Sequence, residues 1–267
     1  MKSYSIKELL RGLKAVGVKK GDLLYLVPEI FKFGQLKQDQ KFKNPYEIFY
    51  KCIKDTIGPS GTLCINTYTF DTLRHKKKFI YESKFTTCGG FSDLILSKKN
   101  VVRSLHPVFS VASIGKKAKF ICSGNSQHNY GYNSPYEKFL RLNGKILNLG
   151  QNYWSNPFSH VAEYMIGASH YFNKFTNVEY FKNGKKRKKN FSSFVRFLSY
   201  EIIDIHKKLK LEIDKSKIVK KFKLGDGYIY CLDAQKYLKI CLDILSKDQF
   251  SFIKKEKFIN SQKKLKI

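Results

Sequence analysis

Hydrophobic and polar positions follow two periods along this chain, and each period marks a different kind of element. Ile6, Leu9, Leu10 and Leu13 recur at i, i+3, i+4 and i+7. They sit on Ser5-Ile6-Lys7-Glu8, a capping box in which the serine and glutamate side chains each satisfy an orphan backbone N–H. This predicts a helix that buries one face and stops at Gly17. Leu23 to Val27 form an unbroken apolar run, the mark of a strand buried on both faces, and Pro28 ends it. Asn44-Pro45 supplies an N-cap and a proline at the first helical position, and Ile48, Phe49, Cys52 and Ile53 give that helix its apolar face up to Gly58.

Farther along, residues 62–69 predict a strand, and residues 74–88, mixed basic and aromatic without a clean period, predict a long surface loop. A short helix over 92–96, a strand over 108–114, a short element over 117–122, a helix over 135–142 capped by Ser134, a strand over 146–149 and a helix over 158–167 follow. Asn183-Gly184, between Val178-Glu179-Tyr180-Phe181 and Phe191, predicts a hairpin. Its second strand would carry Lys185-Lys186-Arg187-Lys188-Lys189 as a solvated edge guarded against aggregation. Phe194, Phe197, Leu198 and Ile202 share a helical face and predict a helix over 192–211, followed by a strand over 228–232 and a helix over 233–245. Strands and helices in alternation mean helices packed on a central sheet, an α/β fold.

At 267 residues the chain can bury one sizeable core. It is expected to form a single domain over 1–267, with a small basic hairpin subregion at 177–191. Hydrophobic residues are 42% and aromatics 15%, far too apolar for a disordered chain. The formal net charge of +30 must attract anions, yet the lysines are spread from Lys2 to Lys266 rather than gathered in one patch interleaved with aromatics, so no nucleic-acid partner is expected. The six cysteines form no Cys-x-x-Cys and mostly sit in apolar runs, as reduced core thiols do. With no cleavable leader and no apolar run near eighteen residues, the expectation is a cytoplasmic protein without a membrane span.

Candidate chemistry narrows to one helix. His75 lies in a basic loop and His206 beside Lys207-Lys208, positions that face solvent; His128 and His170 have no patterned neighbours. His106, before Pro107, suits a structural hydrogen-bonding role. His160 and Glu163, at i and i+3, share a helix face and can serve one reacting group, although the same spacing also describes a surface pair worth a few tenths of a kcal/mol, about what an exposed ion pair contributes. The chain has no Gly-x-Ser-x-Gly, His-Glu-x-x-His, Gly-x-x-x-x-Gly-Lys-Ser/Thr or Gly-x-Gly-x-x-Gly. By elimination the pair is the leading candidate, and no metal is expected.

An ordered series of motifs runs the length of the chain: Leu13 to Asp22, Gly61-Thr62-Leu63, Arg103-Ser104-Leu105-His106-Pro107 with Ser110, Gly131-Tyr132-Asn133-Ser134-Pro135, Gly144 to Gly150, Ser159 to Glu163, and Leu224-Gly225-Asp226-Gly227. In content and order it resembles the aminoglycoside 3-N-acetyltransferase family. That resemblance implies a three-layer α/β/α fold around a mixed central sheet and an enzyme that moves an acyl group, acetyl or a hydroxyacyl such as hydroxybutyryl, from coenzyme A to an amine on a sugar. It implies His160 as general base and Glu163 as its helper, with Arg103, Ser104, His106 and Ser110 in the acyl-CoA part of the cleft. Val27-Pro28-Glu29-Ile30 stands where the family has His-Ser-Ser-Leu, Asn66-Thr67 where it has Pro-Thr, and Pro157 where it has Thr. These sites shape the pockets, so Glu29, Asn66 and Thr67 are the expected substrate-binding residues. An enzyme for polycationic antibiotics would line its cleft with carboxylates, and this chain has few. The expected acceptor is therefore an anionic, nucleotide-linked amino sugar of the dTDP type, used in surface polysaccharide synthesis. The alternatives are an aminoglycoside acceptor or an inactive, polyanion-binding relative.

Overall fold

Alternate residues of single strands divide the interior into two cores, one on each face of a seven-stranded sheet. The computed structural model describes residues 2–37, 44–75, 77–197 and 206–254. The chain opens with β1 (Ser3–Tyr4), α1 (Ile6–Ala15) and β2 (Leu23–Pro28), makes a 3-10 turn at Ile30–Phe33, and continues through β3 (Gln35–Leu36), α2 (Pro45–Ile57) and β4 (Thr62–Asn66). The predicted caps are in place, Ser134 Oγ accepting from Glu137 N at 3.2 Å among them. Glu8 Oε2 accepts from Ser5 N at 2.8 Å, Ser5 Oγ accepts from Glu8 N at 3.2 Å, and Asn44 Oδ1 accepts from Tyr46 N at 2.9 Å. The middle of the chain holds α3 (Asp71–Arg74), β5 (Phe79–Ile80), α4 (Gly90–Ser97), β6 (Val102–Arg103), β7 (Val111–Gly115), α5 (Ala118–Cys122), α6 (Pro135–Arg141), β8 (Lys145–Leu149) and α7 (Phe158–Met165). It ends with β9 (Tyr171–Lys182), β10 (Lys185–Arg196), α8 (Lys207–Ser216), β11 (Lys220–Leu224), β12 (Gly227–Asp233) and α9 (Ala234–Leu245).

The large sheet runs β11-β12-β8-β2-β4-β7-β6. Its centre, β8-β2-β4, is parallel and its flanks are antiparallel, so the sheet is mixed. Leu24 and Leu26 of β2, Leu63 and Ile65 of β4, and Leu147 and Leu149 of β8 meet the buried faces of α1, α2 and α4. Leu23, Tyr25, Cys64 and Ile146 point the other way, onto α6, α7, α8 and α9. Period-two alternation in strands covered on both faces thus produces the three-layer α/β/α arrangement. Asp22 and Lys145, paired at 2.8 Å, tie the starts of β2 and β8.

A second sheet, β10-β9-β5, packs Phe79, Val178, Tyr180 and Phe191 into a small cluster of their own. Its turn is the predicted one, with Asn183 at φ 51° and Gly184 at φ 68°, the paired positive angles that the favoured two-residue hairpin turn requires. The hairpin is longer than the 177–191 expected from sequence, reaching from Tyr171 to Arg196.

This corrects the helix expected over 192–211. Ser192 to Arg196 end β10, where pairing with Phe175 to Tyr171 outweighs the helical spacing of Phe194 and Phe197. Leu198 and Ile202 lie outside the described residues, and the helix there, α8, begins at Lys207. The supposed surface loop at 74–88 contains β5, which adds to β9 in parallel at Phe79↔Tyr180. The strand expected over 62–69 stops at Asn66, and that over 108–114 begins at Val111 and extends to Gly115. All six cysteines are free thiols. Among the described residues no helix is long and apolar enough to cross a membrane.

Gly115 ends β7 at φ 130°, and a Cβ there would stand 2.2 Å from the Gly61 carbonyl oxygen and 2.8 Å from Thr62 Cα. Backbone cannot step aside as a flexible side chain can, so Gly115→Ala should destabilise the protein by about 2 kcal/mol or more. Gly124, at φ 60° with nothing within 4 Å of its would-be Cβ, is the control, and its alanine variant should cost about 1 kcal/mol. Equilibrium urea unfolding of both variants checks the ordering.

Candidate active site

The carboxyl ends of β8, β2 and β4 open on one edge of the sheet, the edge where open α/β sheets hold their ligands. The chain leaves β8 through Gly150 and reaches α7 by a loop braced by asparagines. Asn148 Nδ2 donates to Asn152 O at 2.9 Å, Asn156 Oδ1 accepts from Phe158 N at 3.1 Å, and Ser159 Oγ donates to Asn156 O at 3.1 Å. Phe158, Val161 and Ala162 bury one face of α7 in the same core as Tyr237 and Cys241 of α9. That fixes the axial rotation of α7 and points His160 and Glu163 toward β9.

Glu163 is the centre of the arrangement, with 3% of its surface exposed. Its Oε2 accepts from His160 Nδ1 at 2.8 Å and from the Tyr171 hydroxyl at 2.9 Å, while His170 Nε2 lies 3.1 Å from Oε1. Burial alone would push this carboxyl up, but hydrogen bonds from His160 and His170, and their charge when protonated, outweigh it and bring the pKa down to about 2. Burial and the neighbouring carboxylate push the Tyr171 phenol well above its ordinary value, so it stays a neutral donor. An ionised carboxylate can only accept. His160 therefore carries its proton on Nδ1 and presents the lone pair of Nε2, and with 36% of its side chain exposed the ring is open to a reactant. A neutral imidazole held this way can take a proton from a reacting group, and Glu163 stabilises the imidazolium that results.

The Arg-Ser-Leu-His-Pro stretch is built differently, for every one of its polar side chains turns inward. Arg103, 3% exposed, donates from Nε to Ser110 Oγ at 2.9 Å, from Nη2 to Thr67 O at 2.9 Å and from Nη1 to Ser83 O at 3.1 Å, with its guanidinium 5.0 Å from the centre of the Phe79 ring. Ser110 Oγ donates to Thr67 O at 2.7 Å, and Ser104 Oγ accepts from Val111 N at 2.9 Å. His106 Nδ1 accepts from Phe109 N at 3.0 Å, and Nε2 donates to Ser192 O at 3.2 Å, which links this segment to β10. Burial lowers the pKa of His106 to about 4.

Of the expected substrate-binding residues, Thr67 is fully buried and bonded to Ser110 at 3.0 Å. Asn66 is half-buried and accepts through Oδ1 from the hydroxyls of Tyr25 and Tyr136, the latter at 3.1 Å. Glu29 lies at the carboxyl end of β2, paired with Lys32 and accepting from Gln151 Nε2 at 2.5 Å. The structure brings His160 and Glu163 together, with Arg103, Thr67 and Ser110 forming a separate buried cluster.

Sequence reasoning passed over His170 and Tyr171. α7 ends at Met165, Gly167 turns the chain at φ 65°, and only this reversal returns His170 and Tyr171 to Glu163. No helical or strand period spans such a turn; the adjacent polar aromatics at its exit were the available signal. Nor does His206 face solvent, because its ring lies 5.5 Å from Phe252 and burial lowers its pKa.

The chain matches the family model described as aminoglycoside 3-N-acetyltransferase over residues 34–246. Among curated proteins it is 23% identical over 178 residues to aminoglycoside N(3)-acetyltransferase III of Salmonella, and 22% identical over 178 residues to the protein of that name from Acinetobacter baumannii. Each alignment takes in 60% of this chain and 60% of the relative, so the chain spans about 60% of the length of the curated relatives it matches. Among solved structures, AAC-VIa bound to sisomicin superposes with a TM-score of 0.77 at 19% identity, covering 91% of this chain and 97% of that one. AAC-IIIb in binary complex with CoASH superposes at 0.76 and 18%, covering 92% and 97%. These likenesses match the fold to that of known acetyltransferases.

His106, Glu163 and the partly buried His206 all titrate below their ordinary values, and the sign of each fixes how stability varies with pH. His106 has a folded pKa of about 4 against 6.5, so the unfolded chain binds its proton first and stability falls as pH drops from 6.5 toward 4. Glu163 has a folded pKa of about 2 against 4.5, so its contribution is complete above 4.5 and is lost as pH falls toward 2. Urea unfolding from pH 8 to 3 should show the decline starting near 6.5, and His106→Gln should reduce the slope between 6.5 and 4 to the share that His206 contributes, while leaving the decline below 4.5.

Proposed function

The chain belongs to the aminoglycoside 3-N-acetyltransferase family, a family of acyl-CoA-dependent N-acyltransferases, and from that premise we propose that it moves an acetyl group from coenzyme A to an amine of an amino sugar with His160 as the general base. The observation that carries the reading is the half-exposed His160 whose Nδ1 is bonded to the buried Glu163 carboxylate. The amine nitrogen attacks the thioester carbonyl carbon as Nε2 of His160 takes the proton the nitrogen sheds. When the tetrahedral intermediate collapses, the C–S bond breaks and the thiolate leaves, to be reprotonated from the imidazolium. Glu163 stays ionised throughout and offsets the charge on His160. Arg103, Ser104, His106 and Ser110 enter this proposal as the wall that shapes the acyl-CoA side of the cleft, since their polar atoms are used within the protein. Glu29 and Asn66, both partly exposed, are the proposed contacts to the acceptor.

For the acceptor, the names of the relatives favour an aminoglycoside. A second reading, an anionic nucleotide-linked amino sugar, is supported by the net charge of +30 and by a groove beside the Glu163 hub in which Lys207, Lys208 and Lys254 outnumber Asp248, Lys210 being paired with Asp214 at 2.8 Å, and in which Phe250 packs 6.2 Å from His170. Positive potential steers anions in and repels polycations, an effect that salt weakens.

His160→Ala should lower turnover roughly 10²- to 10⁴-fold with little change in the KM for acetyl-CoA, because the imidazole touches the proton in transit. Near-normal turnover in a variant with an unchanged melting temperature removes His160 from the mechanism. Coenzyme A at a hundred times its Kd should stabilise the wild type by about 2.7 kcal/mol, so a thermal melt that millimolar coenzyme A does not move counts against the reading. Thiol release with kanamycin, gentamicin and a set of nucleotide amino sugars, measured at low and high salt, decides the acceptor. A faster rate with the antibiotics supports the first reading, and a faster, salt-sensitive rate with the nucleotides supports the second.

A further inference from the structure

We propose that His170 is a positioning residue for His160: by donating Nε2–H to Oε1 of Glu163 it fixes the carboxylate, leaves Oε2 to His160 and Tyr171, and limits how strongly that oxygen draws the imidazole proton. The inference rests on the reading of His160 as the base. His170 is fully buried, and its Nε2 lies 3.1 Å from Oε1. Two aromatic rings pack against the imidazole, and backbone hydrogen bonds hold the segment that carries it. Tyr171 lies 4.9 Å and Phe250 6.2 Å from it between centroids, Ser169 N donates to Gln249 Oε1 at 2.8 Å, and Phe197 N donates to His170 O at 3.3 Å. A carboxylate bonded through one oxygen alone can turn about its χ3 torsion, which is broad and roughly two-fold. With His170 on the other oxygen, that rotation breaks a buried charge-assisted hydrogen bond.

The same bond sets basicity. Each donor on a carboxylate disperses its charge, so a third donor meets a weaker acceptor than it would alone. Besides His160, His170 and Tyr171, the ionisable groups that act on this carboxylate or on its partners are Tyr130 from the loop before α6, Cys241 from α9, Arg196 from β10 and His206 before α8. Of this set, His170 is the group hydrogen-bonded to Oε1. Removing it concentrates negative charge on Oε2, stabilises the His160 imidazolium and raises the pH at which His160 titrates. Removing the carboxylate itself, as in Glu163→Gln, lowers that pH. Opposite shifts from neighbouring substitutions separate positioning from simple structural damage.

The experiment is an imidazole NMR titration of His160 in the full-length protein, paired with the pH profile of acetyl transfer. In His170→Leu the His160 midpoint and the acid limb of kcat should rise by about half a unit to one unit, with kcat down about tenfold and the KM for acetyl-CoA unchanged. His170→Gln, whose Nε2–H can stand in for that of the histidine, should return both toward wild type. The wild type supplies a test that needs no variant, because the His170 Nε2–H resonance should shift as His160 titrates. A folded His170→Leu whose His160 midpoint stays put or falls overturns the inference, as does a glutamine that restores nothing or a His170 resonance indifferent to His160. If the NMR shifts are as expected and no acceptor is acetylated, the function fails and the coupling stands. If acetyl transfer proceeds and the midpoint does not move, His170 alone is removed from the account.

Discussion

A carboxylate closed off from water must find donors for both oxygens or give up its charge, and the architecture around Glu163 is arranged to supply them. Burial by itself would hold this group protonated at mild pH, and a protonated carboxyl could neither orient His160 nor stabilise its imidazolium. Hydrogen bonds and charge from His160 and His170 reverse that balance and bring the pKa down to about 2, and Tyr171 adds a third donor. They come from separate stretches of chain: His160 from the same helix, His170 from the turn after it, and Tyr171 from the first residue of β9. For all three to converge, α7 must stop after little more than two turns and the chain must double back at Gly167.

The second sheet is thereby drawn into the site. Tyr171 is held flat against Phe194 of β10, with ring centres 4.5 Å apart and planes 4° from parallel, and Phe194 N donates to Asn129 Oδ1 at 2.8 Å. Farther along β10, the Ser192 carbonyl receives His106, so the Arg-Ser-Leu-His-Pro segment and the hub brace opposite ends of one short run of strand. The buried Arg103 cluster does the same for β5, whose following loop meets it through the carbonyls of Tyr81 and Ser83. Motifs far apart in sequence are thus linked through β10, which receives His106 at Ser192 and carries Phe194 against Tyr171.

What could be read from the sequence was whatever depends on neighbours a few residues away. The capping box and the other N-caps, the Asn-Gly turn, the buried strands and the i, i+3 relation of His160 to Glu163 are local, and the structure contains each of them. What depends on chain reversal was hidden. Phe194, Phe197, Leu198 and Ile202 match a helix as well as any stretch of the chain, but the β9 partner that makes Phe194 part of a strand is set by the upstream turn at Asn183-Gly184. His170 was passed over for the same reason, since its role is defined by a reversal that hydrophobic periodicity does not encode. Arg103 and His106 stood out as polar residues in a distinctive motif, and nothing in that motif told whether their donors faced a ligand or the protein's own carbonyls.

Charge works at two ranges in this molecule, and the two bear on different steps. The excess of lysine sets a long-range field that governs which molecules approach, and at physiological ionic strength that field decays over about 8 Å from the surface. Chemistry at His160 is short-range and depends on what waits for the amine. Glu163 is buried beneath the imidazole with its oxygens occupied, and Glu29 is engaged by Lys32 and Gln151. Glu163 therefore has no oxygen left for an incoming ammonium, and Glu29, half-exposed beside Lys32, enters the proposed reading as a contact to the acceptor and not as the group that takes its proton. On the proposed reading the acceptor nitrogen therefore reaches His160 already neutral, having left its first proton to solvent, and the imidazole removes only the proton that becomes acidic as the N–C bond forms. Such a site works best on an amine whose own pKa lies low, as neighbouring electron-withdrawing oxygens on a sugar ring make it, and it gains nothing from a second ammonium nearby.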